Sequence, residues 1–169
     1  MKKVICNEDV CIGCRLCEVY CLVEHSKSRD ILKAFKEETP RTLNRVTVEE
    51  EGHRSFGIQC RHCKDAPCLS ACLTGAMHRD EETGAVLNDS TRCIGCWSCI
   101  MVCPFGAIRR DTARGKVVSK CDLCPDLEVP ACVANCPNKA MQCVDVSSPC
   151  MASHCEDSPT TFGVDEAIS

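Results

Sequence analysis

Aromatic side chains are scarce in this chain of 169 residues: one Trp, one Tyr and four Phe. So few large apolar groups leave little to fill an ordinary core, and small folds with that deficit rely on covalent or metal staples. No stretch approaches the ~18 apolar residues of a membrane span. No apolar run follows Lys2 and Lys3 that would make a secretory signal, and no twin-arginine pair stands near the start. The expectation is a cytoplasmic protein without a direct membrane span, although a subunit can also be exported on a partner's signal. A basic block and a stacking-aromatic pattern are both missing, which argues against nucleic acid as a partner. The side-chain charge is −4, from 20 Lys and Arg against 24 Asp and Glu. There is no nucleotide loop of the GxGxxG or GxxxxGK[ST] kind and no Gly-x-Ser-x-Gly. The chain is therefore not expected to be an enzyme by itself.

What the chain does have is cysteine, 20 in all, a share that marks a metal or disulfide scaffold. In a reducing compartment closely spaced cysteines are metal ligands rather than disulfides. Most of them fall into four quartets. The first is Cys11-x2-Cys14-x2-Cys17-x3-Cys21. The second is Cys60-x2-Cys63-x4-Cys68-x3-Cys72. The third is Cys93-x2-Cys96-x2-Cys99-x3-Cys103, followed by Pro104. The fourth is Cys121-x2-Cys124-x7-Cys132-x3-Cys136, followed by Pro137. The first and third match the bacterial ferredoxin run C-x2-C-x2-C-x3-C, whose fourth cysteine ligates the other cluster in two-cluster proteins. The other two keep its start and its end and stretch the middle.

The spacing has a physical reason. A ligand at every third residue wraps the backbone around one corner of a cubane. The x3 gap is close to one helical turn, so a short helix carries the fourth thiolate away. Gly13 and Gly95 sit where the backbone must approach the metal and adopt unusual dihedrals. A repeat follows three of the quartets: Cys72-Leu-Thr-Gly-Ala-Met, Cys103-Pro-Phe-Gly-Ala-Ile and Cys136-Pro-Asn-Lys-Ala-Met. Each unit reads as cluster loop, short helix, turn and strand; the first quartet breaks the pattern with Cys21-Leu-Val-Glu-His. Two-stranded ribbons are predicted over 46–58, turning at Glu51-Gly52, over 78–88 at Thr83-Gly84, and over 108–120 at Arg114-Gly115. Lys3-Val-Ile-Cys and Ala140-Met-Gln-Cys-Val are both strand-like and able to pair. Residues 26–38 read as a polar helix or loop. The tail after Cys143 is rich in Ser, Pro and acid and is not expected to fold by itself.

At this point the sequence resembles the four-cluster ferredoxin-like subunits of molybdenum and tungsten oxidoreductases, hydrogenases and carbon monoxide dehydrogenases. The resemblance rests on the order of the quartets. It also rests on Gln59-Cys60-Arg61-His62-Cys63, Ala66-Pro67-Cys68, Cys93-Ile94-Gly95-Cys96, Lys120-Cys121-Asp122-Leu123-Cys124 and Pro130-Ala131-Cys132. It implies an α+β fold of two fused bacterial-ferredoxin-like modules, with short helices and small antiparallel β-ribbons built around iron–sulfur clusters. The four-cluster domain would span 1–146, with one module of about 1–25 plus 117–146, the other of about 45–116, and a polar tail at 147–169. The resemblance further implies four [4Fe–4S] clusters with nested ligand sets: Cys11, Cys14, Cys17 and Cys136; Cys21, Cys121, Cys124 and Cys132; Cys60, Cys63, Cys68 and Cys103; Cys72, Cys93, Cys96 and Cys99. Sequential pairing, first quartet with second and third with fourth, is the alternative. The implied function is to relay single electrons between a catalytic redox subunit and another carrier. That subunit would be a carbon monoxide dehydrogenase, formate dehydrogenase, hydrogenase or aldehyde oxidoreductase, with a flavoprotein as the possible other end.

Four cysteines are left over. Cys6 and Cys143, on the terminal strands, read as thiols packed beside a cluster. Cys150 and Cys155, with His154, form a candidate extra metal site in the tail. Trp97 is expected to shield a cluster. His25, His53, His62 and His78 read as structural or exposed, and Arg15, Arg61 and Lys64 as groups that modulate potential or dock a partner. The competing class is a structural zinc protein with up to four four-thiolate sites. The compact runs Cys11–Cys17 and Cys93–Cys99 favour a cubane over it.

Overall fold

The computed structural model describes residues 1–111 and 118–145. The Arg114-Gly115 turn and the tail with Cys150, His154 and Cys155 lie outside these residues. The chain runs through β1 (Lys2–Cys6), α1 (Leu16–Glu24), α2 (Ile31–Lys36), β2 (Val46–Glu51), β3 (Arg54–Gln59), α3 (Pro67–Ser70) and β4 (Met77–Arg79). It continues through β5 (Val86–Asn88), α4 (Ser98–Met101), β6 (Arg109–Arg110), β7 (Val118–Ser119), α5 (Ala131–Ala134) and β8 (Met141–Asp145). The strands form antiparallel pairs β1–β8, β2–β3, β4–β5 and β6–β7. Each expected ribbon is thus present. The two terminal strands pair with Val4 opposite Cys143 and Cys6 opposite Met141.

The helices explain the cysteine spacing. α1, α3, α4 and α5 each begin one residue before the third cysteine of a quartet. Proline helps twice, as the first residue of α3 and as the cap of α5, where a missing N–H costs nothing. After the fourth cysteine the chain must turn back. Gly75, Gly106 and Lys139 all take a positive φ there, of 63°, 59° and 55°. Each donates its N–H to the carbonyl of that cysteine, at 3.2, 3.3 and 3.2 Å. α1 is the exception, as its sequence foretold: no Gly or Pro follows Cys21, so the helix runs on. Leu22 and Val23 then bury against Ala34 of α2, itself capped by Asp30 accepting from Lys33 N–H at 2.9 Å.

Besides the small cluster of Leu22, Val23 and Ala34, two larger cores form among the described residues, and cysteine is part of both. One joins Val4, Val46, Val48 and Met141 to Cys17, Cys21 and Cys132, from the first and fourth quartets. The other joins Met77, Val86 and Ile108 to Cys68 and Cys99, from the second and third. The ribbon β2–β3, grouped by sequence with the second and third quartets, turns Val46 and Val48 into the first core. Among the described residues no helix is long and apolar enough to cross a membrane.

The left-handed turn after the fourth cysteine gives a stability test. A Cβ at Gly106 meets nothing within 4 Å, so Gly106→Ala isolates the backbone cost and should lose about 1 kcal/mol. Lys139→Gly relieves the same strain and should gain on the order of 0.5 kcal/mol. Urea unfolding midpoints of the two variants should move in opposite directions.

Candidate metal centres: four groups of thiols

Three cavities are each walled by four cysteines drawn from two quartets. Set I is Cys11, Cys14 and Cys17 with Cys136, around a cavity of about 350 Å³. Set III is Cys60, Cys63 and Cys68 with Cys103, again about 350 Å³. Set IV is Cys72 with Cys93, Cys96 and Cys99, about 310 Å³. Set II is Cys21, Cys121, Cys124 and Cys132, within electrostatic reach of one another, with Cys21 and Cys132 part of the first core.

The sets also lie in a fixed order. Cys132 of set II feels Cys17 of set I. Cys121 of set II feels Cys60 of set III. Cys99 of set IV feels Cys68 of set III. These neighbours link set I to II, II to III and III to IV. Cys14 and Cys96, in the two outer sets, are the exposed members; the thiols of set II are buried or half-buried.

Local backbone geometry builds these sets. In every quartet the residue before the second cysteine has positive φ: Gly13 at 64°, His62 at 45°, Gly95 at 70° and Leu123 at 66°. Glycine marks this turn in the first and third quartets. His62 and Leu123 take it without glycine, a conformation that costs a side chain about 1 kcal/mol or more. Backbone N–H groups then aim at sulfur. Donors are Arg45 to Cys21 at 3.2 Å, His62 to Cys60 at 3.4 Å, Met77 to Cys72 at 3.3 Å and Met141 to Cys136 at 3.4 Å. The last two are equivalent positions of the repeat.

Electrostatics say what the thiols need. Burial, then the Glu18 carboxylate and the sulfurs of Cys14 and Cys11, push Cys17 up to about 12; burial, then neighbouring sulfurs, push Cys121 to about 12 and Cys99 to about 11. Cys132 is pushed higher still by the same causes. At Cys72 burial also acts upward, but the Met77 N–H, the Thr74 hydroxyl and the N–H groups of Thr74 and Ala76 outweigh it and hold the thiol below its ordinary value. Buried thiols in fours ionise when a cation takes the place of their protons. A zinc ion bound by four thiolates sits about 2.3 Å from each sulfur and leaves no void. Sets I, III and IV surround a void instead, with amide donors pointed at their sulfurs, which fits an iron–sulfur cluster.

Set II has a polar rim that its sequence did not reveal. His25 faces two acceptors: Nδ1 donates to the Cys21 carbonyl at 2.7 Å and Nε2 to Asp122 at 3.1 Å. A neutral imidazole has one N–H, so this geometry calls for imidazolium. Burial works against that charge, but the Asp122 carboxylate and then Cys21 outweigh it and raise His25 to about 9. For Asp122 burial also opposes ionisation. The His25 hydrogen bond and the Arg45 guanidinium, paired with its other oxygen, nevertheless hold it well below the usual carboxylate range. Asp122 further accepts from Cys124 N–H at 3.1 Å. His25, Asp122 and Cys124 have ligand atoms within 4.8 Å of one another, but both nitrogens of His25 are already engaged. The i, i+4 spacing of Cys21 and His25 puts them on one helix face; nothing in the sequence ties either to Asp122.

The remaining candidates fall outside the sets. Cys6 accepts from Gly57 N–H at 3.2 Å and lies beside Cys11 and Cys136 of set I. Cys143 sits on β8, half-buried. Trp97 lines the cavity of set IV, with the Arg110 guanidinium 5.1 Å above its ring. His62 is fully buried.

Comparison with known proteins agrees with this chemistry. Residues 53–146 match a family described as 4Fe–4S dicluster domain. The YsaA protein of Escherichia coli (strain K12) is 41% identical over 147 residues, covering 86% of this chain and 90% of that one. The electron transport protein HydN of the same strain is 39% identical over 160 residues, 85% of this chain and 88% of that one. The thiosulfate reductase electron transfer subunit PhsB of Salmonella typhi is 35% identical over 147 residues, 80% of this chain and 71% of that one.

Asp122 offers a direct test. Asp122→Ala leaves His25 and Arg45 without their shared carboxylate and should cost on the order of 2 kcal/mol, read as a lower urea midpoint in the iron-loaded protein.

Proposed function

Because the chain belongs to the 4Fe–4S dicluster domain family of iron–sulfur electron-transfer proteins, we propose that it carries single electrons along four [4Fe–4S] clusters, one in each of sets I to IV. The observation that carries this reading is the walling of three similar cavities by four thiols from two different quartets. Set I would be held by Cys11, Cys14, Cys17 and Cys136, and set II by Cys21, Cys121, Cys124 and Cys132. Set III would be held by Cys60, Cys63, Cys68 and Cys103, and set IV by Cys72, Cys93, Cys96 and Cys99. The two cores support nested pairing over sequential pairing, since one mixes the first and fourth quartets and the other the second and third. They also support two fused modules, with the boundary after β3 rather than before β2.

Each cluster, when bound, supplies a one-electron couple whose potential depends on hydrogen bonds to sulfur, local charge and solvent access. The chain's own part is to hold the thiolates, donate amide N–H groups to them, exclude water from the middle of the row and expose its two ends. In this reading the bond-making chemistry belongs to another subunit. HydN is named an electron transport protein and PhsB an electron transfer subunit of a reductase. By likeness to these, the partner is the catalytic subunit of a multi-subunit oxidoreductase. Carbon monoxide dehydrogenase, formate dehydrogenase, hydrogenase and aldehyde oxidoreductase are the classes to try.

Protein prepared without oxygen should contain about sixteen iron and sixteen acid-labile sulfide per chain, with a broad brown absorption that bleaches on reduction. Zinc without sulfide would overturn the reading. Nested pairing makes a second prediction. Cys63→Ser and Cys103→Ser should alter the same electron paramagnetic resonance signal, and Cys14→Ser and Cys136→Ser should together alter a different one. Sequential pairing would instead couple Cys14 with the second quartet.

A further inference from the structure

Lys120 is buried, with 5% of its surface exposed, and it lies where sets II and III meet. Its ammonium donates to two backbone carbonyls, those of Val86 and Cys121, the latter at 3.2 Å. Cys121 belongs to set II, and Val86 lines the cavity of set III. The backbone of Val86 is also held on its N-terminal side, because its N–H donates to His62 Nδ1 at 3.0 Å. His62 stands between Cys60 and Cys63 of set III. A ring nitrogen that accepts a hydrogen bond is unprotonated, so this histidine is neutral. The pair therefore brings one positive charge to the junction, and it is on the lysine.

That charge lacks the usual answer. Among the described residues no carboxylate is in ion-pair contact with Lys120. The acid nearest in sequence, Asp122, is taken by His25 and Arg45. A buried ammonium on two carbonyls alone carries a heavy desolvation cost. What lies behind those two carbonyls is the sets themselves: Cys121 is a member of set II, and Val86 shares the cavity of set III with Cys60, Cys63, Cys68 and Cys103. The cations beside the outer sets are of another kind. Arg15, near set I, is exposed and paired with Glu18 and Glu50, and Arg110, near set IV, is exposed over Trp97.

We propose that the Lys120 ammonium is the shared counter-cation of sets II and III, raising the reduction potentials of both inner centres and easing the passage of an electron between them. This rests on the four-cluster reading above. In the step concerned one electron leaves one inner centre and enters the other; no bond changes and no proton moves. The negative charge shifts across the junction, and a cation touching both sides stabilises it at either end. In a low-dielectric interior that stabilisation is far larger than in water. Lys120 is a potential-setting residue and touches no ligand sulfur in a hydrogen bond.

The test uses full-length, iron-loaded protein: wild type, Lys120→Met and Lys120→Arg. Iron and sulfide are counted first, then midpoint potentials are taken by redox titration followed by paramagnetic resonance. Lys120→Met should keep its iron, lower two of the four potentials and leave the other two in place. Lys120→Arg, which keeps the charge, should stay near wild type. Full iron with four unmoved potentials in Lys120→Met overturns the proposal, as does an equal fall in all four. Iron far below sixteen in the wild type overturns the four-cluster reading, and this proposal with it. If Lys120→Met does not assemble, wild type carrying lysine labelled with ¹⁵N at Nζ decides the matter. Pulsed resonance on the partly reduced protein should find a lysine nitrogen coupled to a reduced centre, lost in labelled Lys120→Arg. No such coupling in the wild type overturns the proposal.

Discussion

Four thiols held close together inside a protein cannot all ionise unless a cation stands among them. Burial and mutual repulsion raise Cys17, Cys121 and Cys132 far above an ordinary thiol, and a cluster core is what reverses that penalty. The rest of the structure follows from this constraint. The strands are two to six residues long, and aromatics are few. Both hydrophobic cores include cysteines among their buried members. The thiols that would hold a cluster are thus the same side chains that fill much of the core.

The constraint also explains why such different spacings give one local shape. Each quartet needs its first two sulfurs on one side of a turn and its last two at either end of a helical turn. The left-handed residue before the second cysteine supplies the first, and α1, α3, α4 and α5 supply the second. The variable stretch in the middle, x2, x4 or x7, is loop length alone. It changes nothing essential, because the helix always restarts one residue before the third cysteine. Non-glycine residues at the strained turn of the second and fourth quartets mean that the surrounding fold holds those turns in place. His62 does so visibly, through its hydrogen bond with Val86.

Local chemistry was legible in the sequence and long-range partnership was not. Gly13 and Gly95 announced their turns; His62 and Leu123 sit at the same position with no residue type to give it away. The ribbons over 46–59 and 77–88 could be read from turn residues and alternation. The packing of β2 on Val4 and Met141 could not, since Val46 and Val48 suit either core. The contact of His25 with Asp122 spans 97 positions, and no periodicity encodes it. Lys120 carries the least warning of all. A lysine in a sequence is read as exposed, and only the structure puts its ammonium under Val86 and Cys121.

Burial along the row then limits where electrons can enter and leave. In set II, Cys21, Cys124 and Cys132 are buried and Cys121 is half-buried. In sets I and IV, Cys14 and Cys96 reach the surface at equivalent places in the repeat. Apolar side chains stand uncovered beside both: Ile12 at set I, and Leu73, Ile94 and Met101 at set IV. Water near a buried centre would stabilise its charge but also loosen its potential and admit oxidants, so a relay gains by keeping its middle dry. With water excluded, the protein must supply the compensating charge itself, and it does so where the inner sets lie. Arg45 and His25 stand over set II against one carboxylate, and Lys120 stands between sets II and III. Buried cations are costly in most folds; in the proposed four-cluster reading they lie against sets of thiols that become anionic with a bound cluster, so cation and cluster offset each other's desolvation.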